Sequence, residues 1–95
     1  MVRKQSFLAI VFAPKFQKSY SGFQSREQAR IDELVMALSK GVSTPGMRIK
    51  PIEPEKYYRE ARVNDGDRLV FRIENDTLLV ADVVPHDLIR KYGKG

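Results

Sequence analysis

The chain has 95 residues, no cysteine and a net charge of +5, with a pI near 9.7. That length makes one domain, residues 1–95, with a modest core; the missing cysteines exclude disulfides, zinc-thiolate sites and thiol catalysis. The basic excess is uneven: residues 1–50 carry nine Lys/Arg against three Asp/Glu, and residues 51–95 carry eight against nine. A polyanionic partner, nucleic acid or an acidic protein, is therefore expected.

Phe7 to Ala13 (FLAIVFA) reads as a buried strand. It is too short for a helix or a membrane span, and no signal-peptide cleavage pattern follows it. Pro14 ends the strand and suits the first turn of a helix, so Lys15 to Phe23 is expected to be helical, with Phe16, Tyr20 and Phe23 on one face. Ser25 reads as the N-cap of a second helix, with Gln28 completing a capping box. Ala29, Ile31, Leu34, Val35 and Leu38 form its apolar stripe, read as core packing, and Gly41 supplies the C-cap. Residues 42–56 hold three prolines and a Pro-Gly turn signal, so they read as an ordered loop carrying Arg48 and Lys50. Three strands are expected at about 57–63, 67–74 and 78–84. Asp87 to Tyr92 follows as one or two helical turns, with Gly93-Lys94-Gly95 as a frayed end. The fold class is α+β: two N-terminal helices packed on a small, twisted, mainly antiparallel sheet in the order β-α-α-β-β-β.

The register of the strands decides where the charges go. A two-residue Asp65-Gly66 loop and a three-residue Asn64-Asp65-Gly66 loop both make hairpins. The three-residue loop is preferred. It pairs Val63 with Asp67, Arg62 with Arg68 and Ala61 with Leu69. Ala61, Val63, Leu69, Phe71 and Ile73 then share the core face, and Gly66 takes a left-handed bulge position. Arg62 lies directly opposite Arg68, a destabilising arrangement that a bound phosphate would relieve. The alternative is two long side chains reaching into water, with Asp82 nearby. For the last hairpin, a three-residue Asn75-Asp76-Thr77 loop puts Leu79, Ala81 and Val83 on the core face. A two-residue Asn75-Asp76 loop would reverse that parity and bury Asp82 unpaired. In the preferred register Asp82 and His86 share a face with Arg68, Val70 and Arg72.

No P-loop or GxGxxG is present. A single histidine without cysteine leaves little with which to build a transition-metal site, and no serine sits in a nucleophile-elbow context. No cofactor or metal is expected. What remains is a basic face with one histidine. His86 beside Arg62 and Arg68 suits RNA cleavage, in which the ribose 2′-hydroxyl attacks the adjacent phosphate and guanidiniums stabilise the charge growing on phosphorus. The plainer alternative is a lone surface histidine.

The run Arg59-x-x-Arg62-Val63-Asn64-Asp65-x-x-Arg68-Leu69-Val70-Phe71-Arg72 resembles the central hairpin of RelE/HigB-type toxins of the RelE/ParE toxin–antitoxin superfamily. The element order, basic pI and length resemble that family too, over nearly the whole chain. The resemblance implies a cytoplasmic, metal-independent mRNA endonuclease acting in the ribosomal A site and neutralised by a cognate antitoxin. Its partners would be the ribosome and mRNA, with no membrane. Carried over by position, Arg62 and Arg68 bind or polarise the phosphate, and His86 acts as acid or base. Lys50 resembles a lysine in the same connection in relatives, and Lys50, Lys56, Arg59 and Arg72 are expected to contact RNA or rRNA backbone. The chain departs from the pattern at Pro85-His86, where many relatives have Tyr-His; Tyr92, Tyr57 or Tyr58 are the candidates to replace that tyrosine. The superfamily also holds gyrase poisons, and similar hairpins form nucleic-acid-binding accessory domains, so a non-catalytic module is the alternative.

Overall fold

The computed structural model describes residues 7–94. Strand β1 (Ala9–Phe12) leads into helix α1 (Pro14–Ser21) and helix α2 (Ser25–Ser39). A short 3₁₀ turn at Pro45–Met47 precedes β2 (Lys50–Pro51), β3 (Arg59–Arg62), β4 (Asp67–Glu74) and β5 (Thr77–Pro85). A terminal 3₁₀ segment, His86–Lys94, completes the chain as described. The sheet order is β1-β5-β4-β3-β2, with β1 parallel to β5 and the other neighbours antiparallel. This is the expected α+β layout, with a two-residue strand added inside the segment read as loop.

The local signals are displaced by a residue in several places. Helix α2 is capped by Gln24 rather than Ser25, and the Gln24 N–H donates to Glu27 Oε1 at 3.2 Å. The capping-box logic holds one position earlier. Gly41, at φ +74°, lies just past the end of α2, and Val42 N–H donates to Ala37 O at 2.9 Å. That left-handed exit is the reason for glycine there. Residues 57 and 58, expected to begin a strand, precede β3.

One face of the sheet packs on the helices. Ala61, Val63, Leu69, Phe71, Leu78, Val80 and Val83 meet Phe16, Ile31, Leu34, Val35, Leu38 and Met47 in the main core. The expected pairing of Arg62 with Arg68 and Ala61 with Leu69 is found, and Val63 N–H donates to Asp67 O at 3.0 Å. Gly66, however, does not take a left-handed φ. The turn is held instead by Asn64, whose Oδ1 accepts from Gly66 N–H and Asp67 N–H, both at 2.8 Å.

The last hairpin departs from expectation. Glu74 pairs with Thr77, so the turn is the two-residue Asn75-Asp76, with Asn75 at φ +57°. Leu78 and Val80, not Leu79 and Ala81, therefore face the main core. A bulge then restores the parity: Phe71 pairs with Val80, but Val70 pairs with Asp82, leaving Ala81 as the extra residue. Val83 returns to the main core, while Ala81 and Val84 join a second, smaller cluster on the opposite face.

That second cluster is closed by the terminal segment. Ile52, Val70, Ala81, Val84 and Ile89 are buried together, with Tyr58 and Tyr92 packed against them. Gly93, expected at a frayed end, is buried. Its carbonyl accepts from Glu55 N–H at 2.8 Å, and a Cβ there would lie 1.9 Å from Glu53 O. Gly95 lies outside the described residues. Asp82 is completely buried (0% exposed). Its Oδ1 accepts from Ser19 Oγ at 2.7 Å and from Val83 N–H at 2.8 Å, and its Oδ2 accepts from the Tyr92 hydroxyl. Three donors satisfy a carboxylate that would otherwise be costly to bury.

Candidate active site

The terminal segment starts where the β3–β4 hairpin turns. His86 N–H donates to Gly66 O at 2.7 Å, so the imidazole-bearing residue is held beside the Asn64–Gly66 tip by the β-pairing of Pro85 with Asp67 just before it. From there the segment crosses the sheet face opposite the helices, pinned by Ile89, Tyr92 and Gly93. Between it and the β2–β3 connection lies a cleft of about 540 Å³, lined by Lys50, Pro51, Ile52, Glu53, Pro54, Glu60, His86, Ile89, Arg90 and Lys94.

This cleft unites His86 and Lys50 from the expected set. Arg62 and Arg68 lie on the same sheet face but do not line it. Their mutual repulsion is relieved by the protein's own carboxylates rather than by Asp82: Arg62 pairs with the exposed Asp65, and Arg68 Nε lies 3.5 Å from Glu60 Oε1. Arg68 Nη1 also donates to the carbonyls of Asn64 (2.8 Å), Asp67 (3.0 Å) and Asp65 (3.3 Å). Glu60 is 5% exposed and lines the cleft, so it links Arg68 to the space beside His86. Register places Lys50 directly opposite Glu60.

The remaining expected residues sit elsewhere. Arg59 shares the parity of Ala61 and borders a different depression, with Leu38, Phe71 and Ile73. Lys56, at φ +61°, pairs with Glu53 at 3.9 Å. Arg72 is folded under Tyr57, with Cζ 3.8 Å from the ring centroid; its Nη1 donates to Tyr57 O at 3.1 Å and its Nε lies 3.4 Å from Glu74. None of the three tyrosines considered as substitutes lines the cleft. Tyr57 rests on Arg72, Tyr58 makes edge contacts with both Tyr57 and Tyr92, and the Tyr92 hydroxyl is spent on Asp82. Burial, reinforced by the Asp82 carboxylate, pushes the Tyr92 hydroxyl well above its ordinary pKa.

Sequence reasoning missed Glu60, Arg90 and Lys94. The signal for Glu60 was its shared parity with Arg62, one strand from Arg68. No local signal marks the other two, which reach the cleft through the 3₁₀ path of the terminal segment. Among the described residues no three His, Cys, Asp or Glu side chains gather as a metal-ligand set, and no helix is long and apolar enough to cross a membrane.

No family model matches this chain, and no curated protein matches it. Solved structures do. The E. coli DinJ–YafQ toxin–antitoxin complex matches at 18% identity with a TM-score of 0.74, covering 84% of this chain and 93% of that one. The RelBE2 toxin–antitoxin complex of Mycobacterium tuberculosis matches at 22% identity and TM-score 0.67, covering 87% and 95%. A YoeB/ParE toxin from Agrobacterium tumefaciens matches at 17% identity and TM-score 0.71, covering 83% and 99%. The chain has the RelE-like toxin fold. Its structural neighbours are RelE/YafQ/YoeB/ParE-family toxins of toxin–antitoxin systems, the group that the hairpin sequence resembles.

Proposed function

We propose that this protein is the toxin of a toxin–antitoxin pair and a metal-independent endoribonuclease that cuts mRNA on the ribosome in the cytoplasm. The observation that carries the reading is the cleft in which His86 stands among Lys50, Arg90 and Lys94. The 2′-oxygen of a ribose attacks the adjacent phosphorus while the 5′-oxygen bond breaks, leaving a 2′,3′-cyclic phosphate and a 5′-hydroxyl. His86 moves a proton in that exchange, as base at the 2′-hydroxyl or acid at the leaving oxygen. Arg68 and Arg62 serve the charge on the scissile phosphate. Lys50, Lys56, Arg59 and Arg72 meet RNA or rRNA backbone, each from the part of the surface described above. An antitoxin with acidic and apolar residues is the expected partner, and the DinJ–YafQ and RelBE2 complexes among the neighbours support that.

One observation favours a second reading, a non-catalytic module of the same fold that inhibits gyrase or binds nucleic acid. Both hairpin arginines are already engaged by carboxylates of the same hairpin. Inducible expression of wild type, His86→Ala and Arg68→Ala in a bacterial host, with mRNA 5′ ends mapped within minutes, separates the two. New ends within codons, lost in both variants, are the expected outcome. Growth arrest with intact mRNA, or undiminished cutting by His86→Ala, would overturn the ribonuclease assignment.

A further inference from the structure

Arg68 is more deeply committed than a substrate-binding arginine needs to be. Its side chain is 15% exposed and lies 3.5 Å from a Glu60 side chain that is 6% exposed. Lys50 lies opposite Glu60 and Arg62 opposite Arg68 in register, so the carboxylate that pairs with Arg68 shares its sheet face with two further basic residues. Glu60 also lines the cleft beside His86. A carboxylate so placed occupies the place that a phosphate would take, since both are anions that accept from a guanidinium edge. The alternative carboxylate, Asp65, is solvent-exposed on Arg62 and lies outside the cleft.

We propose that Glu60 is a built-in phosphate mimic: it stands between Arg68 and the cleft and holds that guanidinium, and a phosphate of a single-stranded RNA must displace it to reach Arg68. The inference deepens the RNA reading of the cleft and rests on it only for the choice of a nucleic-acid phosphate as ligand. Arg68 does not lose its position when the exchange occurs. Its Nη1 remains on the carbonyls of Asn64, Asp65 and Asp67, so only the Nε edge changes partner. Glu60 therefore sets the affinity threshold of the site, and its removal should tighten anion binding beyond what a lost negative charge alone would do.

The control for net charge is Glu53, which lines the same cleft but pairs with Lys56. The probe is a short 2′-O-methylated oligoribonucleotide, which cannot be cut. Its affinity for wild type, Glu60→Gln and Glu53→Gln is measured by fluorescence anisotropy. Glu60→Gln should bind about tenfold tighter, the scale of one charge-assisted hydrogen bond, and Glu53→Gln less than about twofold tighter on the weaker scale of exposed charges. Equal gains in the two variants would overturn the proposal. In the wild-type protein, titrating the same probe should shift the Arg68 Nε–H resonance in a nitrogen–proton correlation spectrum. An unmoved signal at saturation, or no binding of the probe by any of the three proteins, would equally overturn it. Cleavage in cells is scored separately, so an intact Glu60 effect with uncut mRNA would sink the ribonuclease reading and leave this inference standing.

Discussion

Tyr92→Phe tests the contact that ties the terminal segment to the sheet. The substitution removes one hydroxyl and keeps the ring, so the edge contact with Tyr58 (5.6 Å, 90°) survives. Asp82 keeps its Ser19 and Val83 donors on Oδ1, but Oδ2 loses its partner inside a fully buried residue. A hydrogen bond to a charged group contributes about 1.5–3 kcal/mol, so a loss near 2 kcal/mol is expected. For a domain of this size that corresponds to a fall in Tm of roughly 8–16 °C. Urea unfolding followed by circular dichroism at pH 7 measures it directly. The pH dependence gives a second reading. The folded Tyr92 pKa is raised above 10.0, so above pH 10 the unfolded chain loses this proton before the folded one does. The stability that the hydroxyl contributes is complete below pH 10 and declines as the pH rises beyond it. The gap between wild type and Tyr92→Phe should therefore be constant up to pH 10 and then narrow. Tyr20, whose pKa is raised by its hydrogen bond to Asp32, titrates in both proteins and cancels. A destabilisation below about 0.5 kcal/mol, smaller than the usual net worth of even a neutral hydrogen bond, would refute the buried-acceptor argument. So would a gap that did not narrow.

Gly93→Ala should detach the terminal segment from the Glu53–Lys56 turn, because the new Cβ would stand 1.9 Å from a backbone oxygen that no rotamer can move. Hydrogen exchange should show lost protection at Glu55 N–H, whose acceptor is Gly93 O, while amides of α2 stay protected. Phe71→Ala removes one of the largest fully buried side chains of the main core and should cost about 3–5 kcal/mol, measured as a fall in the urea midpoint at unchanged slope.

The hairpin between β3 and β4 was legible because two independent signals agreed there. Alternation placed Ala61, Val63, Leu69 and Phe71 on one face, and Asn64-Asp65-Gly66 offered a turn of the right length. The last strand was legible only by the cancellation of two errors. A three-residue turn was expected, a two-residue turn is found, and the bulge at Ala81 shifts the parity back. Val83 and Asp82 consequently sit on the expected faces, and Leu79 and Ala81 do not. Nothing local in a run of β-branched and small residues marks such a bulge. Asp82 shows the other limit. Its burial looked prohibitive because its donors, Ser19 and Tyr92, are remote in sequence and reach it only through the tertiary fold. His86 could be placed near the hairpin tip because its position follows from strand parity. Arg90 and Lys94 could not, because a 3₁₀ segment pinned by Gly93 has no periodic signature at that length.

The pairing pattern of the cations divides them into two groups, and the division is measurable. Arg62, Arg68 and Arg72 each have a carboxylate partner, whereas Lys50, Arg90 and Lys94 have no ion-pair partner among the described residues and line the cleft together. Neutralised guanidiniums release few counterions when RNA arrives; unpaired cations account for most of the release. Affinity for a single-stranded RNA, plotted as log K against log salt, should therefore flatten by about 0.7 in slope for each phosphate contact deleted. Arg90→Ala and Lys94→Ala should each show that change and leave the thermal midpoint nearly untouched, since both residues are exposed. Arg62→Ala should leave the slope close to that of wild type, because its charge is already balanced by Asp65 when RNA is absent. Equal slopes in wild type and the Arg90 and Lys94 variants, with a flattened slope in Arg62→Ala, would reverse the division. The hairpin, rather than the terminal segment, would then account for most of the counterion release.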